Sequence, residues 1–373
     1  MSHARTALNR RLRILVLIAA ALTLPGMANG EDIDLYTGKP INGGQPNVIL
    51  LLDSSNSWNG NVSFSCPTTG VVSSNNASTD AGFEQCSLYS AITAVGTNAQ
   101  LAGNINVGLM RWDRIKDGTT NAGTTYSGKG GYFKYPQPQA ALLPVIGDSS
   151  GSATSAGAIN LANLQTVIKG IDRTGDGSSS PNTGGGMQEV WAYYSRNIGM
   201  STTNYSTLPK LNACQKNFVI YIANAMGNGD PNMNKNDWGP ALVSAGATTA
   251  QQQTVIIPPP YNKYQGQGGG PEWARFMYQT DISGGANSGS PQNIITYTIA
   301  VTDGKNPNYV AYVKSMASNG GGKSFVINVN DPNALNDLVK DLVGIFNEVQ
   351  ATNSVFASVS LPVSVNAQGT SLN

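Results

Sequence analysis

Asp53, Ser55 and Ser57 stand at two-residue spacing in the stretch Asp-Ser-Ser-Asn-Ser, offering one carboxylate and two hydroxyls to a common point. Hard divalent cations such as Mg²⁺ favour oxygen donors of this kind. The stretch follows an unbroken apolar run, Val48 to Leu52. Such a run reads as a strand buried on both faces, as in a parallel sheet. Open α/β sheets place ligand sites just past the carboxyl ends of these strands, which would put the three oxygens at the rim of the sheet. The competing reading is a polar turn in which Asp53 caps a helix or satisfies backbone N–H groups.

Composition narrows the chemistry. The chain has 373 residues, enough for one elaborated α/β domain or two average ones. Residues 1–30 carry Arg5, Arg10, Arg11 and Arg13, an apolar stretch from Ile14, and the small residues Ala28-Asn-Gly30. That is the layout of a secretory signal peptide, with an apolar part too short to span a membrane comfortably. Export is therefore expected, with Glu31 as the mature N-terminus and no integral membrane segment after cleavage. Four of the 22 basic residues and none of the 21 acidic ones lie in this leader, leaving a net charge of −3. No basic patch survives to bind nucleic acid. The charged fraction of 12% is half of the roughly 25% typical of globular chains, and suits an extracellular, loop-rich surface. The only histidine, His3, lies in the leader. Its loss would remove Ser-His-Asp chemistry, histidine-ligated zinc and histidine general bases together, so no enzymatic activity is expected. Among Cys66, Cys86 and Cys214, a Cys66–Cys86 bridge is plausible in an exported protein, with pairings through Cys214 left open.

Other groupings offer less. Asp172-Arg-Thr-Gly-Asp176-Gly and Asp230-Pro-Asn232-Met-Asn234 begin like calcium loops, but Thr183 and Ala241 stand where the twelfth-position acid belongs, so ordinary turns are expected. Gly184 to Gly186 could cradle an anion at a helix start, yet they lack a P-loop lysine and follow no strand directly; a flexible loop beside a metal is the better reading. Trp58, Trp191, Trp238 and Trp273 could meet glycans or partners, with core packing the default.

The elements that must position Asp53 alternate. After a polar lead-in (31–44) and the first strand comes a Ser/Asn/Thr-rich surface loop, 58–79. A helix follows from Thr79-Asp80, with Asp80 as its cap and Phe83, Cys86, Leu88, Ile92 and Val95 at helical spacing. Residues 105–112 and 131–135 read as a hairpin whose second strand is an antiparallel edge. Helices are expected near 159–170, 187–194, 272–281 and 309–317, and from Asp331-Pro332 onward. Buried strands are expected at 217–224 and 293–301, and a further strand at 324–329. Residues 225–270 carry little regular signal. The tail, 351–373, turns β-like from Val355, as an added edge strand or the approach to a further domain. Alternation of this kind specifies a doubly wound, mostly parallel sheet with helices on both faces and one antiparallel edge strand.

This order of features resembles a von Willebrand factor A domain over residues 45–350, with long loop insertions. The resemblance implies a metal-ion-dependent adhesion site in which Ser55 and Ser57 ligate Mg²⁺, or Mn²⁺ or Ca²⁺, and Asp53 acts through water. It also implies a threonine ahead of the helix near Met187, for which Thr183 is the candidate. The family's aspartate at the end of the central strand is replaced by Asn224, which keeps a carbonyl oxygen and loses the charge. A narrower similarity, to the N-terminal region of the PilY family of type IV pilus tip-associated biogenesis factors and adhesins, rests on several motifs in order. They are Glu31-Asp-Ile-Asp-Leu-Tyr-Thr-Gly, Pro46-Asn-Val-Ile-Leu-Leu-Leu-Asp, Val107-Gly-Leu-Met, Cys214-Gln-Lys-Asn-Phe-Val-Ile-Tyr-Ile, Glu272-Trp-Ala-Arg-Phe-Met-Tyr-Gln-Thr-Asp and Ser358-Val-Ser-Leu-Pro-Val-Ser-Val. It implies partners among pilins, minor pilins or surface ligands, at the periplasm, outer membrane or pilus tip. A structural scaffold with a decayed metal site is the main alternative, and a secreted hydrolase a poor third.

Overall fold

The computed structural model describes residues 44–112, 120–121, 124–125, 130–177, 183–212, 215–227, 235–283 and 292–359. The leader, most of the lead-in, Cys214, Asn232 and Asn234 and the last part of the tail lie outside these residues. Strand β1 (Asn47–Leu52) is buried along its whole length. Its odd and even residues serve opposite faces, as the twofold side-chain period of a strand requires. Val48, Leu50 and Leu52 join one apolar core, and Ile49 and Leu51 join another.

Around β1 lie β2 (Asn106–Trp112), β5 (Gly131–Tyr135), β6 (Asn217–Ala225), β7 (Ile294–Thr302) and β8 (Gly321–Asn328), in the order β5-β2-β1-β6-β7-β8. All neighbours run parallel except β5, which pairs antiparallel with β2 at the edge. A small separate ladder, β3 (Thr120–Asn121) with β4 (Thr124–Thr125), sits between β2 and β5 in sequence. The expected doubly wound sheet with one antiparallel edge is thus the observed one.

Helices cover both faces. On the first lie α1 (Asp80–Thr97), α2 (Ala156–Lys169) and α8 (Ala334–Val359), which contribute Leu88, Ile92, Leu164, Leu342 and Phe346 to the Val48 core. The short helix α3 (Arg173–Asp176) follows α2. On the second lie α4 (Thr183–Ser195), α5 (Lys235–Ser244), α6 (Gly270–Gln279) and α7 (Pro307–Asn319). These bring Val190, Leu242, Trp273 and Tyr312 against Ile49 and Leu51. Trp58, Trp238 and Trp273 are all buried. Among the described residues no helix is long and apolar enough to cross a membrane.

Several expectations need correction. Helix α1 is capped by Thr79, whose hydroxyl accepts from Gly82 N, and Asp80 is buried in the first turn instead. Residues 58–79 are more than a surface loop. Val62 and Val71 are buried, and the Cys66–Cys86 disulfide fastens the segment to α1. Gly184 to Gly186 are the first turn of α4 and not a flexible loop. A Cβ on Gly184 would stand 2.2 Å from Gly268 O, so the helix cost of glycine is offset by close approach of backbone. Helix α5 was hidden because Pro240 lies inside it, where proline normally breaks the pattern. The β-like residues 355–359 continue α8. No proline or glycine lies between Ile345 and Val359 to stop it.

Candidate functional site

Strand order reverses at β1, which leads to β2 on one side and borders β6 on the other. Ligands of open α/β sheets bind at such a switch point, beyond the strands' carboxyl ends. Asp53 is the first residue past β1, fixed there by its N–H, which donates to Ile222 O of β6 at 2.9 Å. Its side chain is fully buried.

The Asp53 carboxylate is held from all sides. Oδ1 accepts the Ser55 N–H at 3.0 Å. Oδ2 accepts the Asn224 N–H at 3.2 Å, the Tyr309 hydroxyl at 2.9 Å and the Tyr221 hydroxyl at 3.3 Å. The two phenols lie 2.7 Å apart. Tyr221 rises from β6 and Tyr309 from α7, so the strand and helix beside β1 both fasten Asp53. Burial pushes its pKa up to about 6, against the Ser55, Tyr309 and Asn224 donors, which favour the anion.

The sequence candidates fall as follows. Asp53, Ser55 and Asn224 are joined directly by the hydrogen bonds above. Asn224 is the penultimate residue of β6; its carbonyl Oδ1 accepts from Met226 N at 3.2 Å, and its side chain interacts with Asp80. Thr183 opens α4, fully buried, with its Oγ1 beside the Tyr221 and Tyr312 hydroxyls. It therefore meets the Asp53 frame through Tyr221. Ser57 lies in a short 3₁₀ turn, Asn56–Asn59, whose start is marked by Trp58 N donating to Ser55 O at 2.9 Å.

The turn at Asp172 is an ordinary capped one. Asp172 Oδ1 accepts from Thr174 N and Gly175 N. Asp176 Oδ1 meets Lys134 Nζ at 2.8 Å and Arg111 Nε at 3.3 Å. Asn75 donates to both oxygens of Asp172 at 2.9 Å, which ties the 58–79 segment to this loop.

Sequence reasoning missed two carboxylates, Asp80 and Glu84, in the first turns of α1. Both are buried, and both are raised well above the usual carboxylate range, chiefly by burial and further by neighbouring carboxylates. Asp80 has no donor among the described residues besides the Asn224 side chain, and Glu84 Oε1 has none, while Glu84 Oε2 accepts the Trp58 indole N–H at 2.7 Å. Spacing could have found them. Asp80 and Glu84 continue the four-residue series of Leu88 and Ile92, which face the core. Among the described residues no three Asp, Glu, Cys or His side chains converge closely enough to hold a metal alone. The donors at this rim are nonetheless all oxygen, and orphaned buried carboxylate oxygens fit a hard cation.

No family model matches the sequence, and no curated protein matches it. Among solved structures, the PilB minor pilin from Streptococcus sanguinis is similar at a TM-score of 0.42 and 10% identity, over 84% of this chain and 63% of that one. The vWF domain of the type V pili tip protein Mfa5 from Porphyromonas gingivalis is similar at 0.33 and 11% identity, over 81% and 97%. The human COPII-coat protein Sec24c is similar at 0.32 and 10% identity, over 83% and 33%. The chain thus spans less than two thirds of the PilB structure. These are distant likenesses among proteins of different kinds, and they fix neither a family nor a function.

Proposed function

We propose that the chain is an exported, non-enzymatic A-domain module that acts in type IV pilus assembly or at the pilus tip. It meets its partners through a divalent cation at the rim between β1 and β6. The observation that carries this reading is the frame in which Asp53, Ser55 and Asn224 are hydrogen-bonded together at the switch point. The order of PilY-like motifs in the sequence supplies the pilus context.

Ser55, Ser57 and Thr183 would hold the cation through hydroxyl oxygens, with Asp53 behind them. An oxygen-only donor set suits Mg²⁺, with Mn²⁺ or Ca²⁺ as substitutes. Bound there, the cation supplies a positive point that an acidic side chain of a pilin, minor pilin or surface ligand can complete. Asp53 sets the stage for it: its carboxylate fixes the Ser55 amide and the end of β6, so the hydroxyl-bearing turn is pre-organised.

A second reading, a scaffold of the pilus machinery that holds no cation, has its own support. Asp53 already receives donors from Ser55, Asn224, Tyr221 and Tyr309, and Asn224 brings no charge. Thermal unfolding and calorimetric titration with Mg²⁺, Mn²⁺ and Ca²⁺, with Asp53→Ala alongside, separate the two. A cation at 100 times its Kd adds about 2.7 kcal/mol of stability. A shift in the wild type that the variant lacks supports the adhesion site; silence in both supports the scaffold.

A further inference from the structure

Helix α1 starts at the same rim with two carboxylates that the fold leaves unmatched. Asp80 and Glu84 are 0% and 1% exposed. Among the described residues, Asp80 has no donor besides the Asn224 side chain, and Glu84 Oε1 has no hydrogen-bond partner. The charges that act on Asp80 are those of Asp53 and Asp303, and those that act on Glu84 are Asp80 and Asp53. All are negative. Buried carboxylates are ordinarily paired with a cation or coordinate a metal, because an isolated charge in the interior costs several kcal/mol.

Their position is built in. Asp80 N donates to Gly60 O at 2.9 Å and Val62 N to Ser78 O at 3.1 Å, which closes the 58–79 segment on itself. The start of α1 thereby returns to the turn that carries Ser55 and Ser57. Trp58, the next residue of that turn, holds Glu84 through its indole N–H. The Cys66–Cys86 disulfide clamps the same helix one half-turn further on. Asn224, next to last in β6, donates its backbone N–H to Asp53, and its side chain is the group that favours the Asp80 anion.

We propose that Asp80, backed by Glu84, is the carboxylate that binds a hard divalent cation at this rim, supplying from α1 the negative charge that Asn224 does not carry at the end of β6. This rests on the cation reading proposed above and assigns its anionic ligand. Mg²⁺ is the fitting ion. It keeps several waters and takes only one or two carboxylates, which agrees with the absence of a three-carboxylate cluster among the described residues. Ser55 and Thr183 hydroxyls and water complete the shell.

The test is calorimetric titration of the full chain with Mn²⁺ and Mg²⁺, together with Tb³⁺ luminescence excited through tryptophan. Tb³⁺ bound at Asp80 lies beside the Trp58–Glu84 pair and should be sensitised by it. The expected results are a loss of affinity of about 100-fold for Asp80→Asn and about 10-fold for Glu84→Gln, the range over which ligand and supporting groups act. Trp58→Phe should lose most of the Tb³⁺ signal while still binding Mn²⁺. If Asp53→Ala abolishes Mn²⁺ binding but Asp80→Asn and Glu84→Gln bind like the wild type, the cation site stands and the role of Asp80 is overturned. If the wild type shows neither heat nor luminescence, the cation reading itself fails, and this assignment with it. Glu84→Gln keeps the test decisive should Asp80→Asn not fold.

Discussion

Glu189 offers a sharp measure of how this interior treats charge. It lies on α4, the helix that presents Thr183, and is fully buried. Oε1 accepts the Ser201 hydroxyl at 2.6 Å and the Tyr205 hydroxyl at 2.7 Å, and Oε2 accepts Ser201 N at 2.9 Å. Gly131 N adds a further donor. A Cβ on Gly199 would stand 2.0 Å from Oε1, so any larger residue there would have to push the carboxyl aside. Burial outweighs the donors and pushes the pKa from 4.5 to about 7. Below 4.5 the group is neutral in both folded and unfolded chains. Between 4.5 and 7 the unfolded chain loses the proton and the folded one keeps it, so stability falls as pH rises. At about 1.4 kcal/mol per pH unit, the loss across that window is about 3 kcal/mol. The perturbation is Glu189→Gln, which cannot ionise, read by urea unfolding at pH 4.5, 6 and 8. Every other carboxylate is common to both proteins and cancels in the difference. The wild type should lose about 3 kcal/mol relative to the variant between the extremes. A difference that stays constant within about 0.5 kcal/mol, or that turns in favour of the wild type at high pH, would show that the four donors match or outweigh burial and refute the reasoning.

Two further outcomes follow from the packing. Replacing Cys66 and Cys86 with serine opens a loop closed at a separation of 20 residues, which should lower the unfolding free energy by about 3 kcal/mol in denaturant titrations. Because that bond holds α1 beside the rim, the proposed cation site should lose affinity with it, and an unchanged affinity would detach the disulfide from that site. Gly184→Ala puts a methyl 2.2 Å from Gly268 O and 3.0 Å from Trp238 Cβ. Since the first obstacle is backbone, the cost should reach the upper end of the overpacking range, about 3 kcal/mol, visible as a lower melting temperature. A neutral result would mean that the start of α4, and Thr183 with it, sits further from residue 268.

What the sequence determined by itself was whatever repeats locally. The apolar runs of β1, β6 and β7 appear because a strand buried on both faces needs no polar alternation. The long α8 stripe appears because its apolar residues recur at helical spacing. The Asp53-x-Ser55-x-Ser57 turn is legible because three oxygens within five residues share one strand end. Tertiary structure decided the rest. Nothing in the sequence singles out Tyr221 and Tyr309; β6 and α7 bring both hydroxyls to Asp53. Thr183 reads as a loop residue until helix α4 starts there, with Gly184 closely packed against Gly268 O. Asp80 reads as a helix cap until the 58–79 segment folds back through Gly60 and Ser78 and carries it inside. In each case the deciding contact joins residues far apart in the chain, and local spacing holds no trace of it. A carboxylate's chemistry depends on which charges and donors surround it, and at this rim those neighbours come from strands and helices that only the fold brings together.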